Sequence, residues 1–188
     1  MNKNPLTKKR DRLFSILKEY GSLIIAYSGG VDSSFLLAVA HEALKKNLVA
    51  VTAKSPVHPE LERQSSAAFA RELGVEHIII QSREMSRLEF RSNTKDRCYF
   101  CKKYLCEDLL KIAGGRGIEH VAHGANVDDF DDFRPGFAAA REMGITAPLV
   151  DAELTKNDIR RLSKQMNLNT WNKPPMACLA TRIPYGTP

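Results

Sequence analysis

The sequence predicts an α/β protein: a Rossmann-like, doubly wound parallel sheet of about five strands. Three observations predict it. Short apolar runs, several rich in β-branched residues, alternate along the chain with stretches of helical period. Each connection between runs is long enough for the crossover that parallel strands need. The first run, Ser22-Leu23-Ile24-Ile25-Ala26, passes through a glycine turn directly into a helical pattern from Phe35 to Leu44.

The elements follow in order. Thr7 to Tyr20 reads as a helix with Leu6, Leu13, Phe14, Ile16 and Leu17 along one side, stopped by Gly21. The helix after the glycine turn extends to about Lys46. Leu48 to Ala53 is a second buried strand, running into Lys54-Ser55-Pro56. His58-Pro59-Glu60 opens a helix that Gly74 ends, and Glu76 to Ile80 is strand three. From Gln81 to Lys103 the pattern breaks into polar and charged residues. Helical period returns over Tyr104 to Ile112 and stops at Gly114-Gly115. His120 to Gly124 is strand four, Pro135 to Met143 a helix, and Ile145 to Val150 strand five. Thr155, with Asp158 three residues on, marks the start of a helix over Leu154 to Leu162. Thr170 to Pro188 carries Pro174, Pro175, Pro184 and Pro188 and is irregular. The organisation is thus one domain over 1–170, with an insertion at about 81–103, followed by a cysteine-bearing loop at 171–188. Ligands of such sheets sit beyond the carboxyl ends of the strands. The loop at 28–34, Lys54-Ser55, Gly124 onward and Ala147-Pro148 should therefore gather.

Composition bounds the function. The 188 residues, 43% hydrophobic, suffice for one core. No apolar run approaches ~20 residues, so no membrane span is expected. Met1 to Arg12 is basic but lacks the apolar stretch of a secretory signal. Four cysteines, two of them in a CxxC, suggest metal or redox chemistry in the cytoplasm rather than a disulfide scaffold. The net charge of +6 favours anionic partners such as ATP, a phosphorylated small molecule or RNA. Lys3, Lys8, Lys9, Arg10 and Arg12 supply part of it as a solvated face of the first helix.

The chemistry begins at Ser28-Gly29-Gly30-Val31-Asp32-Ser33-Ser34. Unpaired N–H groups at a helix start form an anion site, and Gly29 and Gly30 admit an anion to the bare backbone. Ser28 and Ser33 add hydroxyl donors. Asp32 repels phosphate unless a cation lies between, which points to Mg²⁺ with a polyphosphate. There is no GxxxxGK[ST] and no GxGxxG, so neither a Walker loop nor a dinucleotide fingerprint is present. Lys54-Ser55-Pro56, where the second strand ends, would floor an adenine or ribose.

Two more clusters carry chemistry. Gly124-Ala125-Asn126-Val127-Asp128-Asp129 follows strand four, where Asn126 and Asp129 could fix a ribose or hold Mg²⁺. Asp131 and Asp132 read as a solvated helix start favoured by the dipole. Cys98 and Cys101 form the CxxC. Flanking Arg97, Lys102 and Lys103, and a helix beginning at Cys101, should lower their thiol pKa values. A tetrahedral zinc site lacks its second ligand pair. Three cysteines suffice for a [4Fe–4S] cluster with one open iron, and Cys178 could be the third. Cys178, in a proline-stiffened loop near Lys173 and Arg182, is alternatively a nucleophile. Cys106 reads as a small buried hydrophobe.

These motifs together resemble the ATP-dependent sacrificial sulfur transferases, the LarE family of PP-loop N-type ATP pyrophosphatases. The resemblance rests on SGGVDSS (Ser28 to Ser34), RCYFCK (Arg97 to Lys102), GANVDDFDDFRPG (Gly124 to Gly136), APLVDAELTKNDIRRL (Ala147 to Leu162) and WNKPPMACLATRIPYG (Trp171 to Gly186). It implies an adenine nucleotide alpha hydrolase type of fold. The implied substrates are ATP, with Mg²⁺, and a pyridinium-3,5-dicarboxylate mononucleotide. A carboxylate is adenylated, pyrophosphate leaves, and sulfur displaces AMP to give a thiocarboxylate on the way to a nickel-pincer nucleotide cofactor. The implied catalytic residues are Asp32, Cys178 and Arg182. Nucleotide contacts fall to Ser28 through Ser34, Ala53, Lys54, Gly124, Asn126 and Asp129. One variant of the family sacrifices the cysteine matching Cys178, leaving dehydroalanine. The other draws sulfide from a [4Fe–4S] cluster on three cysteines, and Cys98, Cys101 and Cys178 match that one. The family continues into a C-terminal region beyond the PYG motif, and a homo-oligomer is expected. The alternatives are a PP-loop tRNA thiolase, disfavoured by the stretch around Cys178, a non-catalytic nucleotide-binding module, and an amide-forming PP-loop ligase such as an NAD or GMP synthetase, which fits the loop but not the cysteines.

Overall fold

The structure is a computed structural model and describes residues 4–58, 60–131 and 135–187. Lys3, Pro59, Asp132 and Pro188, to which the sequence assigns charge, a helix start, a dipole partner and a loop end, lie outside these residues. Helix α1 (Pro5–Tyr20) starts where Asn4 accepts the Leu6 N–H at 3.1 Å and Pro5 occupies the first turn. Strand β1 (Leu23–Ala26) leads through the glycine turn to α2 (Val31–Leu44). Then come β2 (Leu48–Lys54), α3 (Glu60–Glu72), β3 (Glu76–Gln81), the short α4 (Leu88–Arg91) and the long α5 (Arg97–Arg116). Strand β4 (His120–His123) is followed by a 3₁₀ turn at Val127–Asp131, α6 (Pro135–Glu142), α7 (Pro148–Asp151) and α8 (Lys156–Gln165).

The four strands form one parallel sheet in the order β3-β2-β1-β4. Alternation along β1 sends Leu23 and Ile25 to one face and Ile24 to the other. The first face packs against α1, α2 and α8, where Leu13, Leu17, Phe35 and Ile159 are fully buried. The second packs against α5 and α6 through Leu109, Cys106 and Ala140. Helices on both faces explain why the strands read as continuous apolar runs. Cys106, 1% exposed, is the small buried hydrophobe the sequence suggests. No helix among the described residues is long and apolar enough to cross a membrane.

Three expectations are corrected. Ile145 to Val150 is not a fifth strand. Only Thr146 bridges in parallel to Ala122, its N–H donating to the Val121 carbonyl at 2.9 Å and its carbonyl accepting from the His123 N–H at 3.0 Å. Pro148, with no N–H to extend a ladder, starts α7 instead. The CxxC helix starts at Arg97, not Cys101, and continues through Gly114 and Gly115 to Gly117 in the left-handed region. The charge on α1 is also not simply solvated: Lys9 pairs with Asp158, Arg10 with Glu42 and Arg12 with Glu153.

Candidate active site

The carboxyl ends of β1, β2 and β4 open on one region, and the glycine loop forms its floor. Gly29 has φ of +75°, and a Cβ there would lie 2.6 Å from the Ser66 Cβ, so the loop passes α3 as only glycine allows. Gly30 is the N-cap of α2 and offers no side chain to its first N–H groups. The Ser28 and Ser33 hydroxyls lie 3.0 Å apart at the mouth of that turn. Val31, Ser33 and Ser34 are buried, while Ser28 is exposed. Donors thus ring an uncapped helix end, an arrangement suited to an anion.

Asp32 stands beside this ring. Burial raises its pKa, against the pull of Lys156, and the Asp129 charge raises it further. Its Oδ2 pairs with the Lys156 ammonium, while Oδ1 is buried with no partner among the described residues. An unpartnered buried carboxylate oxygen near a second carboxylate is the donor set a hard divalent cation takes. Lys156 itself escaped the sequence reading. It sits in the first turn of α8, whose N-cap Thr155 and Asp158 form a reciprocal capping box, and its N–H donates to Asp128 at 2.8 Å. Two further cations join it. Lys173 donates to the Gly29 carbonyl at 3.0 Å. Arg160 donates to the Trp171 and Lys173 carbonyls, each at 3.0 Å, fixing the turn that carries Lys173.

At the end of β4, a Cβ on Gly124 would lie 2.9 Å from the Ser33 nitrogen, so this strand end presses on the first turn of α2. Asn126 is fully buried. Its backbone N–H and its side-chain amide both donate to Asp129 Oδ2 at 3.0 Å, and its own oxygen accepts the Asp128 N–H. This pair shapes the loop after β4, and the Asp129 charge reaches Asp32. Across the mouth, Ala53 is half-buried and Lys54 exposed at the end of β2. His123, buried at the end of β4, has its pKa pushed down to about 3 by burial, with the Lys102 charge adding.

The cysteines lie on the far side of the mouth. Cys98 is exposed, while Cys101 and Cys178 are half-buried. Cys101 lies within electrostatic reach of both Cys98 and Cys178. Two remote segments therefore bring three thiols into one neighbourhood, although no group of three His, Cys, Asp or Glu among the described residues could hold a single metal ion. The expected lowering of the Cys101 thiol pKa is overturned. Burial, then the carboxylate of Glu84, push Cys101 up to about 12, and burial also raises Cys178 despite Arg97. The helix start that should have helped lies a full turn earlier, at Arg97.

Arg97 explains how Cys178 arrives there. It is 3% exposed, pairs with Asn93, and donates to the Ala180 carbonyl at 2.8 Å. Asn93 in turn donates to the Pro184 and Thr187 carbonyls. The buried arginine and asparagine thus staple the last loop to the CxxC helix. Arg182, by contrast, is exposed and has no hydrogen-bonding or ion-pair partner among the described residues.

The model of the NAD synthase family matches residues 8–106. An uncharacterized protein of Synechocystis sp. is 39% identical over 96% of this chain and 68% of its own length. The pyridinium-3,5-bisthiocarboxylic acid mononucleotide synthase of Lactiplantibacillus plantarum is 33% identical over 97% of this chain and 66% of its own. The chain thus spans about two thirds of the length of these relatives. Among solved structures, NMN synthetase from Francisella tularensis superposes with a TM-score of 0.66 at 18% identity, over 93% of this chain and 76% of that one. That likeness is one of fold.

Proposed function

The chain belongs to the NAD synthase family, and on that premise we propose that it is an ATP-dependent sulfur transferase. It adenylates a carboxylate of a pyridinium-3,5-dicarboxylate mononucleotide and converts it to a thiocarboxylate. One observation carries the proposal: a single loop joins the two chemistries. At one end Lys173 donates to the carbonyl of Gly29 in the anion loop. At the other, Arg97 holds the Ala180 carbonyl, two residues past Cys178. A phosphate cradle alone serves many reactions. A cradle tied to three neighbouring thiols serves one in which activation by ATP precedes attack by sulfur. The similarity to a pyridinium-3,5-bisthiocarboxylic acid mononucleotide synthase supports the substrate.

In this mechanism the N–H groups of Gly30, Val31 and Ser33, with the Ser28 and Ser33 hydroxyls, receive the β,γ-phosphates, while Ser34, fully buried with its hydroxyl 3.4 Å from that of Tyr27, supports the turn from behind. Ala53, Lys54, Gly124 and Asn126 line the nucleoside. Asp32 and Asp129 would hold Mg²⁺, and the unpartnered Asp32 Oδ1 fits that role. When bound, the cation supplies charge neutralisation for the departing pyrophosphate. Lys156 moves from Asp32 to the phosphates. A substrate carboxylate oxygen attacks the α-phosphorus, the bond to pyrophosphate breaks, and an acyl-adenylate forms. Sulfur then attacks the acyl carbon, and AMP leaves with the C–O bond pair. Arg182, which is exposed, would meet an anionic substrate. Cys98, Cys101 and Cys178 would hold a [4Fe–4S] cluster, a donor set of three thiols fitting that group, and it would supply the sulfide. The test is incubation with ATP, Mg²⁺ and the dicarboxylate mononucleotide after anaerobic reconstitution with iron and sulfide. A thiocarboxylate in the mass spectrum, with the chain mass unchanged, is expected. Absence of a cluster, with a chain lighter by one H₂S after turnover, would transfer the sulfur source to Cys178 itself.

A further inference from the structure

One buried acid remains without a role. Glu84 is 1% exposed, in the turn between β3 and α4. Ser55 donates to one of its carboxylate oxygens and Ser82 to the other. It therefore ties together the residues that leave β2 and β3. The connection continues. The Ser55 hydroxyl accepts the Val57 N–H at 3.2 Å, and the Val57 carbonyl accepts the Leu179 N–H at 2.9 Å. Leu179 follows Cys178, whose own carbonyl accepts from the Thr181 N–H at 2.9 Å and hydroxyl at 2.7 Å. An unbroken hydrogen-bonded path thus runs from Glu84, through the turn after Ala53-Lys54, to the residue beside Cys178. Glu84 also lies within electrostatic reach of Cys101 and Cys178.

We propose that Glu84, acting through Ser55, is a positioning residue that couples occupancy of the nucleotide floor at the end of β2 to the placement of the Cys178 sulfur. This rests on the reading above, in which a nucleotide lies over Ala53 and Lys54. The physical case is that a buried carboxylate accepting two hydroxyl donors has one geometry at low cost and few alternatives. The turn at 55–57 is therefore held at its base, and movement of its rim is passed to Leu179. Ser55 holds both ends of this link, since the same oxygen donates to Glu84 and accepts from Val57. A nucleotide that orders the rim orders the sulfur, and the adenylate forms opposite a sulfur already in place.

The test measures alkylation of each cysteine by iodoacetamide, mapped by peptide mass spectrometry on the reduced, cluster-free full chain. The probe is an ATP analogue with a non-cleavable α,β bridge, with Mg²⁺, and its binding is measured separately by calorimetry. In the wild type the analogue should change the Cys178 rate by at least about threefold, a shift bounded by its preference between the two placements. The exposed Cys98 serves as the internal control. Ser55→Ala should bind the analogue nearly as well and lose the change at Cys178. Glu84→Gln, which keeps the shape and one acceptor, should retain most of it. If Ser55→Ala binds the analogue and keeps the wild-type change, the coupling is wrong. If the wild type binds the analogue with no change at Cys178, the coupling fails alone. If it binds no analogue, the nucleotide reading fails first.

Discussion

At the residue scale the site is a contest for the Asp32 carboxylate. Lys156 holds one oxygen and the other is buried without a partner. The ammonium can leave for a phosphate only if another cation takes its place, so metal and nucleotide should bind together. Lys156→Ala removes a charge-assisted donor to phosphate, and magnesium–nucleotide affinity should fall about tenfold, or ~1.4 kcal/mol. Titration calorimetry with a non-cleavable ATP analogue measures this, and an unchanged affinity would remove Lys156 from the phosphate site. Nothing near Lys156 in the chain announced the role. Its partner lies 124 residues away, and what links them is the packing of α8 beside α2. Ser28 to Ser33 were legible because a strand, a glycine turn and a helix start are all local.

His123 sets a pH dependence. Burial lowers its pKa from 6.5 to about 3. Above pH 6.5 it is neutral in both folded and unfolded chains and contributes nothing. Below that the unfolded chain takes up a proton that the folded one refuses, so stability is lost as pH falls toward 3. The slope is at most about 1.4 kcal/mol per pH unit. Urea denaturation at pH 7.5 and pH 5.0 should show the wild type losing about 2 kcal/mol more than His123→Gln over that interval. Equal losses would mean that His123 is protonated in the folded protein.

At the scale of elements, α8 and α5 show what a pattern reveals and what it hides. The start of α8 was legible because Thr155 and Asp158 act within one turn, and both hydrogen bonds of the capping box form. Thr155→Ala removes one of them and should cost about 1 kcal/mol, lowering the melting temperature by a few degrees. A melting temperature within experimental error of the wild type would contradict the cap. The beginning of α5 was hidden. Arg97 to Lys103 shows no apolar stripe because its inward residues are Arg97, Cys101 and a lysine whose ammonium is withdrawn from solvent, Lys102. Buried polar residues spoil the period that marks a helix. The fifth strand failed for the opposite reason: its apolar residues serve α7 and the core, with only Thr146 beside β4.

At the scale of the whole molecule, a parallel sheet collects what the chain scatters. The carboxyl ends of β1, β2 and β4 bring residues near 30, 54 and 125 to one mouth, and the loop at 171–187 crosses it from Gly29 to Arg97. That gathering was legible as topology. The staple holding the last loop was not, because Arg97 and Asn93 read as ordinary surface polar residues and are both buried. In the proposed reaction this mouth cleaves ATP between its α- and β-phosphates to activate a carboxylate for sulfur. Phosphorus-31 NMR of the products formed from ATP, Mg²⁺ and the pyridinium dicarboxylate mononucleotide tests it most directly. AMP and pyrophosphate, released only when the dicarboxylate is present, are the result expected. ADP and inorganic phosphate, or cleavage indifferent to the dicarboxylate, would contradict it.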